Sequence, residues 1–168
     1  MARFLSFLRN RSGATALEFG LVAAPFLAIL IAILEAALIF FAQQVLQTST
    51  TNAARLIMTG QAQNGNLTQA QFKQDVCNDA AVLFSCSGIY VNVQTFSSFS
   101  SMTQLNPLQG GTFNTGTMNY SMGTSGDIML VQVFYNWPVI LGPLNFTLAN
   151  NGNYRLLVGT AVFRNEPY

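Results

Sequence analysis

A long apolar run near the N-terminus constrains this chain more than any other feature. From Phe19 to Phe41 every residue is apolar except Gly20, Pro25 and Glu35. As a helix the run would be about 35 Å long, whereas the hydrocarbon core of a bilayer is about 30 Å thick. The 127 residues that follow are rich in Asn, Gln, Ser and Thr, so they offer too little apolar surface to bury such a helix. We therefore predict a single membrane-spanning helix that contacts lipid.

The charges around this run predict its orientation. Arg3, Arg9 and Arg11 precede it, and no acidic residue occurs before Glu18. Basic residues flanking a spanning helix favour the cytoplasmic side, so the N-terminus is predicted in the cytoplasm and Gln43 onward outside the membrane. The predicted divisions are a leader over 1–13, a transmembrane helix over 14–42 and a periplasmic domain over 43–168.

Composition argues against several classes of function. Charged residues make up 8% of the chain and the net charge is +1, whereas nucleic-acid binding needs clustered Lys and Arg. The chain has no histidine, which removes the commonest general base and zinc ligand. Asp75 and Asp79 are interpreted as solvated charges rather than a cation site. No enzymatic activity, metal, cofactor, small-molecule substrate or nucleic-acid partner is predicted.

Two cysteines, Cys77 and Cys86, lie on the predicted outer side of the membrane. Disulfides persist in such oxidising compartments, and the spacing would close a small loop. The alternative is a pair of reduced, buried thiols that pack as small hydrophobic groups. We predict the disulfide.

The outer part of the chain has the pattern of an α+β domain. Apolar residues at three- and four-residue steps continue the long helix as far as Gly60, and Thr68 with Gln71 forms a capping box that starts another helix. Strands are predicted at 88–96, 127–137 and 154–164, the second of them central because both its faces are apolar. They would form a small antiparallel sheet packed on the outer half of the long helix.

The segment 97–126 is rich in Ser, Thr, Asn and Gly, yet it carries large apolar residues such as Phe99, Phe113 and Tyr120. A wholly disordered linker would have fewer of them. We predict a long surface loop partly held on the sheet. Two interpretations stay open for it, a surface for a partner or adhesion, and a merely variable loop.

A lone carboxylate follows the basic leader. Glu18 lies five residues after Gly13, at the cytoplasmic edge of the apolar run, where burying a charge has a cost. If the chain were cut after Gly13, the new α-amino group of Ala14 would lie about one helical turn from Glu18. In a low dielectric, the carboxylate could pair strongly with the terminal ammonium of a neighbouring subunit.

These residues carry a resemblance. Gly13-Ala14-Thr15-Ala16-Leu17-Glu18-Phe19 before an apolar helix resembles a type IV prepilin processing site. The longer stretch RNRSGATALEFGLVAAPFLAILIAILEAALIF resembles the N-terminus of TadE-like pseudopilins, or minor pilins, of the bacterial tight-adherence (Flp) pilus. The matching positions are Arg11, Gly13, Ala16, Glu18, Phe19, Pro25 and Glu35.

The resemblance implies that a prepilin peptidase cuts between Gly13 and Ala14. It implies that Glu18, Phe19 and Glu35 serve assembly with other pilin-like subunits and the pilus assembly platform in the inner membrane. Glu35 could instead reach the outer lipid headgroups. The sizeable outer domain favours a minor subunit over the major pilin. The alternative hypothesis is an unprocessed, signal-anchored envelope protein whose outer domain binds a protein or a cell-wall partner.

Overall fold

The fold is α+β, as the sequence predicts, with one long N-terminal helix and a small antiparallel sheet. The computed structural model describes residues 13–140 and 147–168, so the predicted leader lies outside it except for Gly13. The helices are α1 (Ala14–Met58), α2 (Gln61–Asn64) and α3 (Gln69–Ala80). The strands are β1 (Ile89–Phe96), β2 (Leu108–Gln109), β3 (Thr112–Phe113), β4 (Ile128–Pro138) and β5 (Tyr154–Arg164).

Helix α1 runs without interruption through Pro25 and covers 45 residues. It ends where predicted, because Gly60 adopts a left-handed conformation at φ 76° that glycine tolerates without strain. The predicted apolar face of its outer half is confirmed. The buried residues of this face are Ala42, Leu46, Ser49, Ala53 and Ile57, with Val45 and Leu56 half-buried.

The larger sheet has the order β1-β4-β5, with both pairings antiparallel. The strand predicted to be central is therefore central. One face of this sheet packs on α1 and α3 through a continuous apolar core. The strand residues in that core are Ile89, Val91, Val93, Met129, Val131, Val133 and Leu157.

The opposite face of the sheet holds the segment 97–126 through two buried amides. The side chain of Gln132 accepts a hydrogen bond from the backbone N–H of Leu105 at 3.0 Å and donates one to the backbone carbonyl of Leu105 at 3.3 Å. The side chain of Asn92 donates to Gln132 at 3.3 Å and accepts from the N–H of Asn119 at 2.9 Å. Since buried amides need partners, these contacts fix the loop on the sheet, as the sequence predicted in outline.

Tyr120 closes the outer edge of β1. It forms a parallel bridge with Val93, and its hydroxyl donates to the carbonyl of Leu67 at 3.2 Å. Burial, and to a smaller extent the nearby Asp75 carboxylate, raises the pKa of Tyr120 to about 12. The phenol therefore stays protonated and remains a hydrogen-bond donor at physiological pH.

Two short elements differ from the sequence-based expectation. No helix is predicted between Gly60 and Thr68, but α2 lies in that segment, with Ala62 buried in the core. The β2–β3 hairpin lies within 97–126, where no regular structure was expected. Both elements are too short for periodicity to reveal them.

The domain that packs on the C-terminal half of α1, which we call the outer domain from its predicted location, contains the predicted disulfide between Cys77 and Cys86, whose Cα atoms lie 5.4 Å apart. It joins α3 to the turn that precedes β1. The predicted capping box at the start of α3 is also present, with Thr68 and Gln71 bonded reciprocally. On the same helix, Asp79 accepts a hydrogen bond from Asn52 of α1 at 3.0 Å.

Candidate assembly segment

The N-terminal half of α1 exposes almost all of its apolar side chains. From Leu17 to Phe41 these include Phe19 at 75% exposure and Phe40 at 73%. The helix is long and apolar enough to cross a membrane, and only 6% of its most apolar stretch is buried in the fold. Water would solvate this surface poorly, so this half of α1 needs lipid or other helices around it.

Gly13 immediately precedes α1 and is exposed, so the Gly13–Ala14 peptide bond lies at the start of the helix. Among the described residues, a Cβ atom added at Gly13 would meet no heavy atom within 4 Å. The fold therefore gives no steric reason for glycine at this position.

Glu18 and Phe19 are both exposed on the first turns of α1. Within residues 13–140 and 147–168, the Glu18 carboxylate has no hydrogen-bond or ion-pair partner. A carboxylate on an apolar helix is costly in lipid unless it finds a donor or a cation. The described part of the structure thus leaves Glu18 available for a further partner.

Glu35 is different, because the outer domain reaches it. Its carboxylate oxygen Oε1 accepts a hydrogen bond from the backbone N–H of Ile140 at 2.6 Å. Ile140 follows β4 and is separated from Glu35 by 105 positions in the chain. The sequence interpretation considered only lipid headgroups or another helix for Glu35, so this intrachain contact was missed.

Two glutamines fix the height of the outer domain on α1. Gln43 donates to the carbonyl of Val158 at 2.8 Å and accepts from its N–H at 3.3 Å. Gln47 makes the same pair of bonds with Thr160, at 2.8 and 3.0 Å. Four helical residues rise about 6 Å and two strand residues about 6.6 Å, so the two spacings match.

These bonds satisfy polar groups at the outer edge of β5 that would otherwise face solvent or another strand. Sequence reasoning missed both glutamines. Their four-residue spacing places both side chains on one face of the helix, which was the available signal. The sequence does not show, however, that the edge of a strand lies beside that face. The same contacts help to hold the sheet on α1, whose N-terminal half is largely exposed.

The described residues hold no group of three or more His, Cys, Asp or Glu side chains placed to bind a metal ion. In the described part of the chain, the features that point most clearly to a function are therefore those of α1. It combines an exposed apolar surface, an exposed carboxylate near the start of the helix and a second carboxylate bound by the domain.

Comparison with known proteins agrees with this picture. The model of the family described as TadE-like protein matches residues 13–55, which cover nearly all of α1. No curated protein and no solved structure matches the chain. The match begins at Gly13 and includes Glu18, Phe19 and Glu35, so it covers all the positions on which the resemblance was based except Arg11. The long helix of this chain is therefore similar to that of the TadE-like protein family.

Proposed function

We propose that this chain is a minor pilin that takes part in the assembly of a tight-adherence pilus. It is made with a short basic leader, and a prepilin peptidase cuts it between Gly13 and Ala14. Helix α1 then anchors it in the inner membrane with the outer domain in the periplasm. The observation that carries this proposal is the match over residues 13–55 to the TadE-like family, on a helix whose apolar half is bare.

The proposed partners follow from the exposed half of α1. Its apolar surface would be covered first by lipid and, in an assembly, by the helices of other pilin-like subunits. Small residues such as Ala16, Gly20 and Ala24 permit close approach of helices. Phe19 supplies a large exposed group beside Glu18. These properties suit a structural subunit, and we propose no catalytic role.

Glu18 is the residue that we propose as the polar contact between subunits. Cleavage after Gly13 would create an α-amino group on Ala14, about one helical turn from Glu18 of the same chain. In an assembly this amino group would also be within reach of the Glu18 carboxylate of a neighbouring subunit. Such a pair would be strong in lipid, where the effective dielectric constant is low. Glu35 already has an intrachain donor, so we assign it a supporting part in assembly.

The cleavage is tested by replacing Gly13 with leucine in the full chain and sequencing the N-terminus of the protein isolated from membranes. The wild type is expected to begin at Ala14, and the variant is expected to retain Met1. A Cβ atom at position 13 meets nothing within 4 Å among the described residues, so lost processing would report the fit to the peptidase. The matched control is Gly20→Leu, which is equally unobstructed in this chain and should still be processed.

A wild-type protein that keeps its leader in cells with an active pilus system would contradict the proposal. It would favour the alternative of an unprocessed, signal-anchored envelope protein. Efficient cleavage of the Gly13→Leu variant would contradict the assigned cleavage position.

The assembly role is tested with Glu18→Gln, which removes the charge and keeps the size of the side chain. We expect normal insertion and cleavage but a large loss of co-purification with other pilin-like subunits and of surface pili. The pairing would lose its ionic part, which is strongest in a low dielectric. Glu35→Gln is the comparison, because it changes a carboxylate with an intrachain partner. Normal pilus formation by the Glu18→Gln strain would refute the pairing.

A further inference from the structure

We infer that the outer domain itself enters the lipid, with the side chain of Ile140 in the acyl region of the outer leaflet. In this arrangement the cross-strand pair Trp137 and Arg155 lies nearer the headgroups than Ile140. The inference rests on the proposed membrane anchoring of α1. It concerns a second contact with the bilayer, made by the end of the sheet nearest the anchor.

The height of Ile140 relative to the apolar run supports this placement. Its backbone N–H bonds Glu35, which is about 24 Å along α1 from Phe19 and about 9 Å short of Phe41. A hydrocarbon core about 30 Å thick that begins near Phe19 ends beyond Glu35. Ile140 therefore lies alongside a part of α1 that has to be in lipid.

The register of the sheet gives the same height independently. Val158 is level with Gln43, and Tyr154 lies four strand residues below it, or about 13 Å. Eight residues down the helix from Gln43, about 12 Å, is Glu35. Two separate sets of hydrogen bonds thus place the lower end of β5 at the level of Glu35.

The side chains at this end have the chemistry of a membrane interface. Ile140 is 73% exposed although its neighbour Val139 is buried, so the fold turns a large aliphatic group outward. Trp137 pairs with Arg155 across the β4–β5 ladder, and Tyr154 and Arg155 are exposed. Trp and Tyr concentrate at headgroup level, and Arg can bind lipid phosphates there.

Lipid also explains the contact between Glu35 and Ile140. A carboxylate and a free backbone N–H would each be costly at this depth. When they bond to each other at 2.6 Å, the residues at the end of β4 can lie beside α1 with both groups hydrogen-bonded. Glu35 is then a positioning residue that holds the lower end of the domain against the anchor.

The experiment uses the full chain in phosphatidylethanolamine–phosphatidylglycerol vesicles. Single cysteines labelled with an environment-sensitive fluorophore are introduced as Ile140→Cys, Ser125→Cys and Ile29→Cys. Ser125 is exposed near the opposite end of the sheet, and Ile29 is 61% exposed in the middle of the apolar run. Quenching by aqueous iodide and by lipids brominated at shallow or deep positions reports depth.

The label at position 140 is expected to show a several-fold smaller iodide quenching constant than the label at 125, with stronger quenching by shallow than by deep bromines. The fluorescence of the only tryptophan, Trp137, reports the depth of this end of the sheet without any substitution. It should be quenched by shallow bromines in the wild-type chain. This second reading does not depend on how the labelled variants fold.

Equal iodide access at 140 and 125, with deep-bromine quenching at 29 and no lipid quenching of Trp137, would overturn the inference and leave the anchor intact. Absence of lipid quenching at position 29 would instead show that the anchoring is wrong. Protection at 140 that disappears on dilution of the protein in lipid would identify a second copy as the covering surface, and would also overturn the inference.

Discussion

A Gly159→Val variant is expected to lose much of the attachment between the sheet and α1. Gly159 is buried on β5 and faces the helix. A Cβ atom there would collide with the side chain of Thr50 and would lie 3.0 Å from the carbonyl oxygen of Leu46. Thr50 is itself buried, with its hydroxyl bonded to that carbonyl at 2.7 Å, so it has no free direction in which to move.

The strand would have to move away from the helix, which would weaken the four bonds made by Gln43 and Gln47. Overpacking of this kind costs about 3 kcal/mol, and the weakened hydrogen bonds add about 1 kcal/mol each. The measurement is thermal unfolding of the full chain in detergent, followed by Trp137 fluorescence. Gly20→Val is the control, because a Cβ atom at Gly20 meets nothing within 4 Å. Equal melting of the Gly159→Val variant and the wild type would show that β5 does not pack this closely on α1.

Loss of the disulfide is expected to have an effect of similar size. Cys77 is fully buried on α3, and Cys86 lies nine positions later in the turn before β1. Closing a loop of this length restricts the unfolded chain by an amount worth about 2–4 kcal/mol. The double substitution Cys77→Ala with Cys86→Ala removes the bond without leaving a lone buried hydroxyl. We expect its unfolding midpoint in guanidinium chloride to fall accordingly.

A reductant provides the matched comparison. It should lower the midpoint of the wild-type chain towards that of the double variant and leave the variant itself unchanged. If oxidised wild type and double variant unfold at the same denaturant concentration, the bond does not stabilise the domain.

Local patterns were sufficient to predict most of the elements. The capping box at Thr68, the start of β5 at Tyr154 and the end of α1 near Gly60 follow from residues within a few positions of each boundary. Their causes are local, namely side-chain caps, backbone conformations that favour glycine, and apolar periodicity. The disulfide was also predictable, because the chain has only two cysteines.

The contacts that join the anchor to the domain were not predictable in this way. Gln43 and Gln47 pair with residues more than a hundred positions away, and so does Glu35. Nothing in the polar pattern of the helix indicates which distant backbone groups will lie beside it. Gln132 is similar, since it is a polar residue in a largely apolar strand and its backbone partner, Leu105, lies 27 positions away.

The sequence by itself determined that a bare apolar helix leads into an α+β domain, and that a lone acid follows a glycine at the start of that helix. These features depend on hydropathy and on short-range spacing, which the order of residues contains directly. Only the tertiary structure decided how high the domain sits on the helix, and that Glu35 is bound from within while Glu18 is left exposed. Those outcomes depend on where distant backbone N–H and C=O groups come to lie, and that is settled only when the sheet packs against α1.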